Sequence, residues 1–137
     1  MEMTVDFPGG DRVDAHFGPF TVKTDQTGQN GEPGSAPAPF SLFLASIATC
    51  AGIYVLRFCR QRNLPTDGLR VIQRSQSNPQ TGMVENVDIE IQIPPGFPEK
   101  YIPSLVRSAE LCAVKKHIET PPAFKVYTRT TSPVEAT

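Results

Sequence analysis

The sequence predicts an α+β fold, and three observations carry that prediction. Residues 40–56 run for seventeen positions without a charge and are apolar in nearly every direction around a helical wheel, the mark of a long helix. Between Val84 and Ile93, Val87, Ile89, Ile91 and Ile93 alternate with Asp88, Glu90 and Gln92, the period of a strand with one buried and one wet face. The order of elements is strands, long helix, hairpin, helix, strand, which segregates the two kinds of structure instead of alternating them.

Each element has its own local signal. Residues 2–7 and 12–16 are short β-like runs joined by Pro8-Gly9-Gly10-Asp11, a turn sequence suited to a hairpin, and a third strand, Phe20 to Thr24, follows Gly18-Pro19. Asp25 to Pro39 is fifteen residues of mainly Gly, Pro, Ser, Asn, Gln and Ala, a length found in lids and binding loops as well as in plain surface connections. The charge-free helix, Phe40 to Leu56, must be buried all round. A membrane span is the rival reading, but the run is short for a bilayer, is interrupted by Ser41, Ser46, Thr49 and Gly52, and has no second span to pack against. The rest of a 137-residue chain has little apolar surface with which to surround such a helix, and an obligate homodimer supplies what is missing.

The long helix is expected to end near Arg60-Gln61-Arg62-Asn63-Leu64-Pro65, where cations suit the negative end of the dipole, Asn63 can cap and proline forbids continuation. Leu69–Ser77 and Val84–Ile93 form a hairpin across Asn78-Pro79-Gln80-Thr81-Gly82. Residues 99–118 place Ile102, Leu105, Val106, Ala109, Cys112 and Ala113 on one helical stripe, with Pro103 in the first turn or at a break. Pro121-Pro122 ends that segment, and Phe124 to Thr130 is read as a last strand with Phe124, Val126 and Thr128 on one face. Residues 1–137 read as a single domain.

Composition excludes several functions. With 39% apolar and 20% charged residues the chain is an ordinary globular one, and its 14 prolines and 10 glycines imply many turns. A net charge of −1 gives no basic field for phosphate backbones, so no nucleic acid partner is expected. Met1-Glu2-Met3-Thr4-Val5-Asp6 lacks the basic and apolar regions of a signal peptide, which places the protein in the cytoplasm. Three cysteines in a reducing compartment favour a transient disulfide over a structural framework. No Gly-x-Gly-x-x-Gly, phosphate loop, Cys-x-x-Cys or Gly-x-Ser-x-Gly is present, and two histidines with scattered cysteines make a poor metal set. Neither cofactor nor metal is expected, and thiol chemistry is the leading candidate.

Helical geometry sorts the three thiols. Cys50 and Cys59 share one helix, ~13.5 Å apart along its axis and on roughly opposite faces, and so cannot bond to each other. Any internal disulfide must include Cys112, with either of the other two. Arginines 57, 60 and 62 surround Cys59 in sequence and favour a thiolate, but its place in the last turn opposes one. Apolar surroundings alone leave Cys50 inert unless a cation reaches it from elsewhere in the fold.

The stretch Pro39-Phe40-Ser41-Leu42-Phe43-Leu44-Ala45-Ser46-Ile47-Ala48-Thr49-Cys50, with Leu111-Cys112-Ala113-Val114-Lys115-Lys116, resembles the OsmC/Ohr family of bacterial stress proteins. The likeness covers nearly the whole chain. It implies an intertwined homodimer in which two long central helices are wrapped by antiparallel sheets, with active sites at the subunit interface. It also implies a thiol-dependent peroxidase of the oxidative or osmotic stress response. Cys50 would be the peroxidatic cysteine that attacks an organic hydroperoxide, Cys112 the resolving cysteine that closes a disulfide with it, and an external dithiol the reductant. Arg12, after Gly9-Gly10-Asp11, is the nearest match to the family arginine that holds the thiolate, displaced by one residue; as a strand arginine it also reads as simply solvated.

Two departures stand out. Where peroxidase members carry a glutamate just after the proline that opens the long helix, this chain has Phe40 and Ser41, and Ala113 replaces the proline that often follows the resolving cysteine. Lys115, Lys116 and His117 read as a solvated face. The competing function is non-enzymatic: the same dimer binding an apolar ligand at the subunit interface, with the cysteines as core residues.

Overall fold

The computed structural model describes residues 1–131. Three strands, β1 (Thr4–Gly9), β2 (Arg12–Phe17) and β3 (Phe20–Thr24), form an antiparallel meander in the order β1-β2-β3. Gly10 takes a φ of 57° in the first turn, a conformation that costs a side-chain-bearing residue energy but not glycine. A bulge between Asp6 and Gly9 shifts the first ladder. The second turn is tight, pairing Phe17 with Phe20, whose rings lie 5.8 Å apart.

Helix α1 (Pro39–Gln61) is the spine of the molecule. Proline fits its first turn because the missing N–H has no partner there anyway. Its C-terminus closes as the residues suggest: Asn63 adopts a left-handed φ of 53°, which returns the Leu64 N–H to the Cys59 carbonyl at 2.9 Å. Strands β4 (Arg70–Ser77) and β5 (Val84–Gln92) form a separate antiparallel hairpin. Its turn is held by the Asn78 side-chain oxygen, which accepts the N–H groups of Gln80 and Thr81 at 2.8 and 3.2 Å. A 3-10 turn at Glu99–Tyr101 leads into α2 (Ile102–Glu110), and α3 (Ala113–Glu119) follows after a break.

The core lies between α1, α2 and the β4–β5 hairpin. Ala51, Val55, Phe58 and Cys59 of α1 meet Phe97, Leu105 and Ala109, with Val71, Ile89 and Ile91 of the hairpin packed against them. Two side chains tie the layers: Gln73 donates to the Leu44 carbonyl at 2.9 Å, and Ser108 donates to the Tyr54 carbonyl at 3.3 Å.

Three expectations are corrected. Helix α1 is not buried all round within one chain; burial is confined to the stripe Ile47, Ala51, Val55, Phe58 and Cys59, because only one side of the helix has α2 and the hairpin against it. Residues 99–118 are not one helix. The chain breaks at Leu111-Cys112, while Pro103 sits harmlessly in the first turn of α2. Phe124 to Thr130 forms no strand: none of the described residues offers it a ladder, and Phe124, Val126 and Tyr127 stand 86, 96 and 68% exposed.

Candidate functional site

Cys50 stands in the middle of α1, half-buried, on the edge of the packed stripe. Helical spacing puts Tyr54 and Arg57 on the same face, one and two turns further on. Cys112 occupies the break between α2 and α3, where its ψ of 127° takes it out of helical geometry and makes it the cap residue of α3. Its own N–H returns to the Ala109 carbonyl at 3.3 Å, and its carbonyl accepts the Lys116 N–H at 3.1 Å. The break leaves the Cys112 side chain 1% exposed and near enough to Cys50 for each thiol to act on the other. Both are reduced, as is Cys59.

The electrostatics divide the pair. Burial pushes the Cys50 thiol up, but the Cys112 S–H donating to it, the N–H groups of Val114 and Ala113, and the Arg57 charge together outweigh burial. They hold Cys50 below the ordinary thiol range. Burial pushes Cys112 up, and its hydrogen bond and charge interaction with Cys50 push it further. Cys59 is raised by burial, against the opposing charge of Arg62, and is fully enclosed in the core. Cys50 is thus shifted toward the thiolate and Cys112 toward the thiol, while Cys59 is enclosed in the core.

A prediction follows from the thiolate being the nucleophile. Iodoacetamide modification of Cys50 is expected to rise at a lower pH than that of an ordinary thiol, and that of Cys59 and Cys112 at a higher one. Peptide mapping over a pH series reads the three sites separately, and identical profiles for all three would contradict the division.

The structure brings Cys50 and Cys112 together but not Arg12. That side chain lies at the β1–β2 turn, its Nε donating to the Gly9 carbonyl at 3.4 Å, and its charge acts on Asp25. Within the chain the cation acting on Cys50 is Arg57, which motif reasoning passed over although it lies seven residues along the same helix. Lys115 pairs with Glu119 at 3.7 Å and His117 donates to the Ala113 carbonyl at 2.6 Å, so these residues form an outer face. At the position lacking the glutamate, the Phe40 ring lies 5.5 Å from that of Phe43, and both are exposed. Among the described residues no three His, Cys, Asp or Glu side chains converge in a metal-binding arrangement. Beside the thiols, Ile47, Val87, Ile89, Ile91, Val106 and Ile118 line an apolar groove of about 520 Å³.

Comparison with known proteins gives the arrangement a family. Among proteins of curated function none matches this chain. Several solved structures share its fold, two of them as follows. A putative osmotic stress induced and detoxification response protein from Psychrobacter arcticus 273-4 aligns with a TM-score of 0.69 at 22% identity, over 83% of this chain and 85% of that one. A hypothetical protein from Aquifex aeolicus VF5 aligns with a TM-score of 0.62 at 15% identity, over 88% of this chain and 87% of that one. The model of the OsmC-like protein family matches residues 31–126, a span that holds both Cys50 and Cys112. The chain belongs to the OsmC-like family.

Proposed function

We propose that the protein is a cytoplasmic thiol peroxidase that reduces organic hydroperoxides in a response to oxidative or osmotic stress, and that it works as a homodimer. The observation that carries this reading is the contact between the Cys50 and Cys112 thiols, with the first held toward the thiolate and the second toward the thiol. The Cys50 thiolate attacks the distal oxygen of the peroxide, the O–O bond breaks, and the leaving alkoxide takes a proton to become an alcohol. Cys50 is then a sulfenic acid. The Cys112 sulfur attacks it, the S–S bond forms and water departs, and an external dithiol reduces the disulfide by exchange. Geometry favours Cys50 as the peroxide-facing sulfur, since it is the more exposed of the two.

Several uncovered apolar surfaces support a second copy. Among the described residues, the side of α1 away from the core, the strand residues Val5, Phe7 and Phe20, and the extended Phe124, Val126 and Tyr127 are left largely exposed. Helix α1, 23 residues long with an 18-residue stretch of mean hydropathy 1.8, is long and apolar enough to cross a bilayer. Its stripe is engaged in a core with α2 and the hairpin, which favours a protein partner over lipid. A second copy is also the remaining route by which Arg12 reaches Cys50.

The test is a count of free thiols before and after one equivalent of cumene hydroperoxide. Wild type is expected to lose two of its three thiols and Cys50→Ser none, with sedimentation reporting two chains per particle. Unchanged thiols in the wild type sink the peroxidase, and a single-chain mass sinks the dimer. The apolar groove favours one other reading, a non-catalytic dimer that binds an apolar molecule. Ligand binding with all thiols retained would select it.

A further inference from the structure

On the other side of α2 from the apolar groove lies a cleft of about 450 Å³ whose character is opposite. Tyr54, Arg57 and Arg62 of the α1 end face Ser104, Arg107 and Ser108 of α2 across it, and no carboxylate lines it. In a chain with 14 acidic and 13 basic residues, three guanidinium groups converging without an acid are not a consequence of composition. Among the described residues the ion pairs are Asp6–His16, Arg74–Glu90 and Lys115–Glu119, so none of the three arginines is neutralised.

Two of the arginines are also held in place. Arg62 lies with its guanidinium carbon 3.7 Å from the Phe58 ring centre and donates to the Phe58 carbonyl at 3.2 Å. Arg107 donates to the Ser104 hydroxyl at 2.9 Å. Each guanidinium has five N–H donors, and these contacts leave most of them free to face the cleft. An oxyanion entering it meets two guanidinium groups already held, so less side-chain entropy remains to be lost.

The cleft and the thiol pair share the same two elements, α1 and the end of α2. Arg57 is seven residues from Cys50 on one helix face, a separation of about 10 Å along the axis. Leu111, which precedes Cys112, forms part of the cleft wall. Tyr54 stands between Arg57 and Cys50 in sequence and on the same face. An elongated molecule with an acid group among the arginines would need to span about 10 Å along that face, past Tyr54, to bring its far portion to Cys50.

We propose that this cleft is an oxyanion subsite that holds the carboxylate or phosphate end of an apolar hydroperoxide while the peroxy group reaches Cys50. The assignment of the ligand as a peroxide rests on the peroxidase reading above; the oxyanion site itself does not.

The experiment measures binding of decanoate, decyl phosphate and decanol to the reduced, full-length protein by calorimetry at low salt. Both anions are expected to bind at least about tenfold more tightly than decanol. Arg57→Gln and Arg107→Gln should each remove that preference, while Arg74→Gln, on β4 and paired with Glu90, should keep it. The stronger of the two anions identifies the acid group. Should a variant fail to fold, added salt on the wild type gives a second reading, since screening must weaken the anions and spare decanol. Equal binding of anions and decanol, no binding of either anion, or a preference that survives both substitutions overturns the subsite. The measurement uses no peroxide. Its failure therefore leaves the thiol chemistry standing, just as unreacted thiols under cumene hydroperoxide would leave the binding result intact.

Discussion

Cys50→Ser is expected to slow organic hydroperoxide consumption by roughly a thousandfold or more, the scale of losing a nucleophile. Cys112→Ser should behave differently, consuming about one equivalent and then stopping, because the sulfenic acid forms and has no partner thiol to close on. The contrast comes from the local chemistry of each sulfur. Cys50 is more exposed and is shifted toward the thiolate by its neighbours Cys112, Val114 and Ala113, whereas Cys112 is 1% exposed and shifted toward the thiol. Peroxide remaining against time distinguishes the variants, and dimedone labelling of Cys112→Ser shows whether the trapped adduct is on Cys50. Equal consumption by wild type and Cys50→Ser would end the assignment.

Leu105→Ala is expected to cost about 3 kcal/mol, the middle of the range for truncating a buried leucine. The corresponding fall in Tm is roughly 10 °C. Leu105 is 1% exposed and belongs to the cluster of Ala51, Val55, Phe58 and Ala109 that fastens α2 to α1. Val106, one residue on and 44% exposed, provides the comparison, and Val106→Ala should cost well under half as much. Urea unfolding gives both values, and a Leu105→Ala cost below about 1 kcal/mol would show that α2 is not held by this packing. The effect reaches the site as well, since α2 delivers Cys112 to Cys50. A variant that remains folded should close its disulfide more slowly.

How far these features can be read from residues alone depends on the range of the interaction. Strand β5 announces itself through Val87, Ile89 and Ile91 because alternation is a property of neighbours in sequence. The end of α1 is legible for the same reason, Asn63 and Pro65 being local stop signals. The break at Leu111-Cys112 is not, because neither residue is a proline or glycine and the apolar stripe from Ile102 to Ala113 keeps helical spacing straight through it. The run Phe124 to Thr130 shows the converse: its pattern suits a strand, but a ladder needs a partner that no local pattern supplies. For the thiols, helix arithmetic excludes Cys50 with Cys59 and nothing more, and it took the family resemblance to prefer Cys50 for Cys112. The fold then explains the preference by sinking Cys59 into the core beside Val55 and Phe58. The same arithmetic, applied forward from Cys50 to Arg57, would have found the cation that acts on it.

The break at Cys112 also decides where the molecule yields. A disulfide requires sulfurs at about 2.05 Å, so the disulfide step of the proposed cycle would have to bring one cysteine toward the other. Cys50 lies deep inside a 23-residue helix, anchored by backbone hydrogen bonds on both sides. Cys112 sits at an irregular corner, followed by a seven-residue helix with no buried side chain. The compliance of the couple is therefore lopsided. Helix α1 is the rigid member, and the corner leading into α3 absorbs the travel.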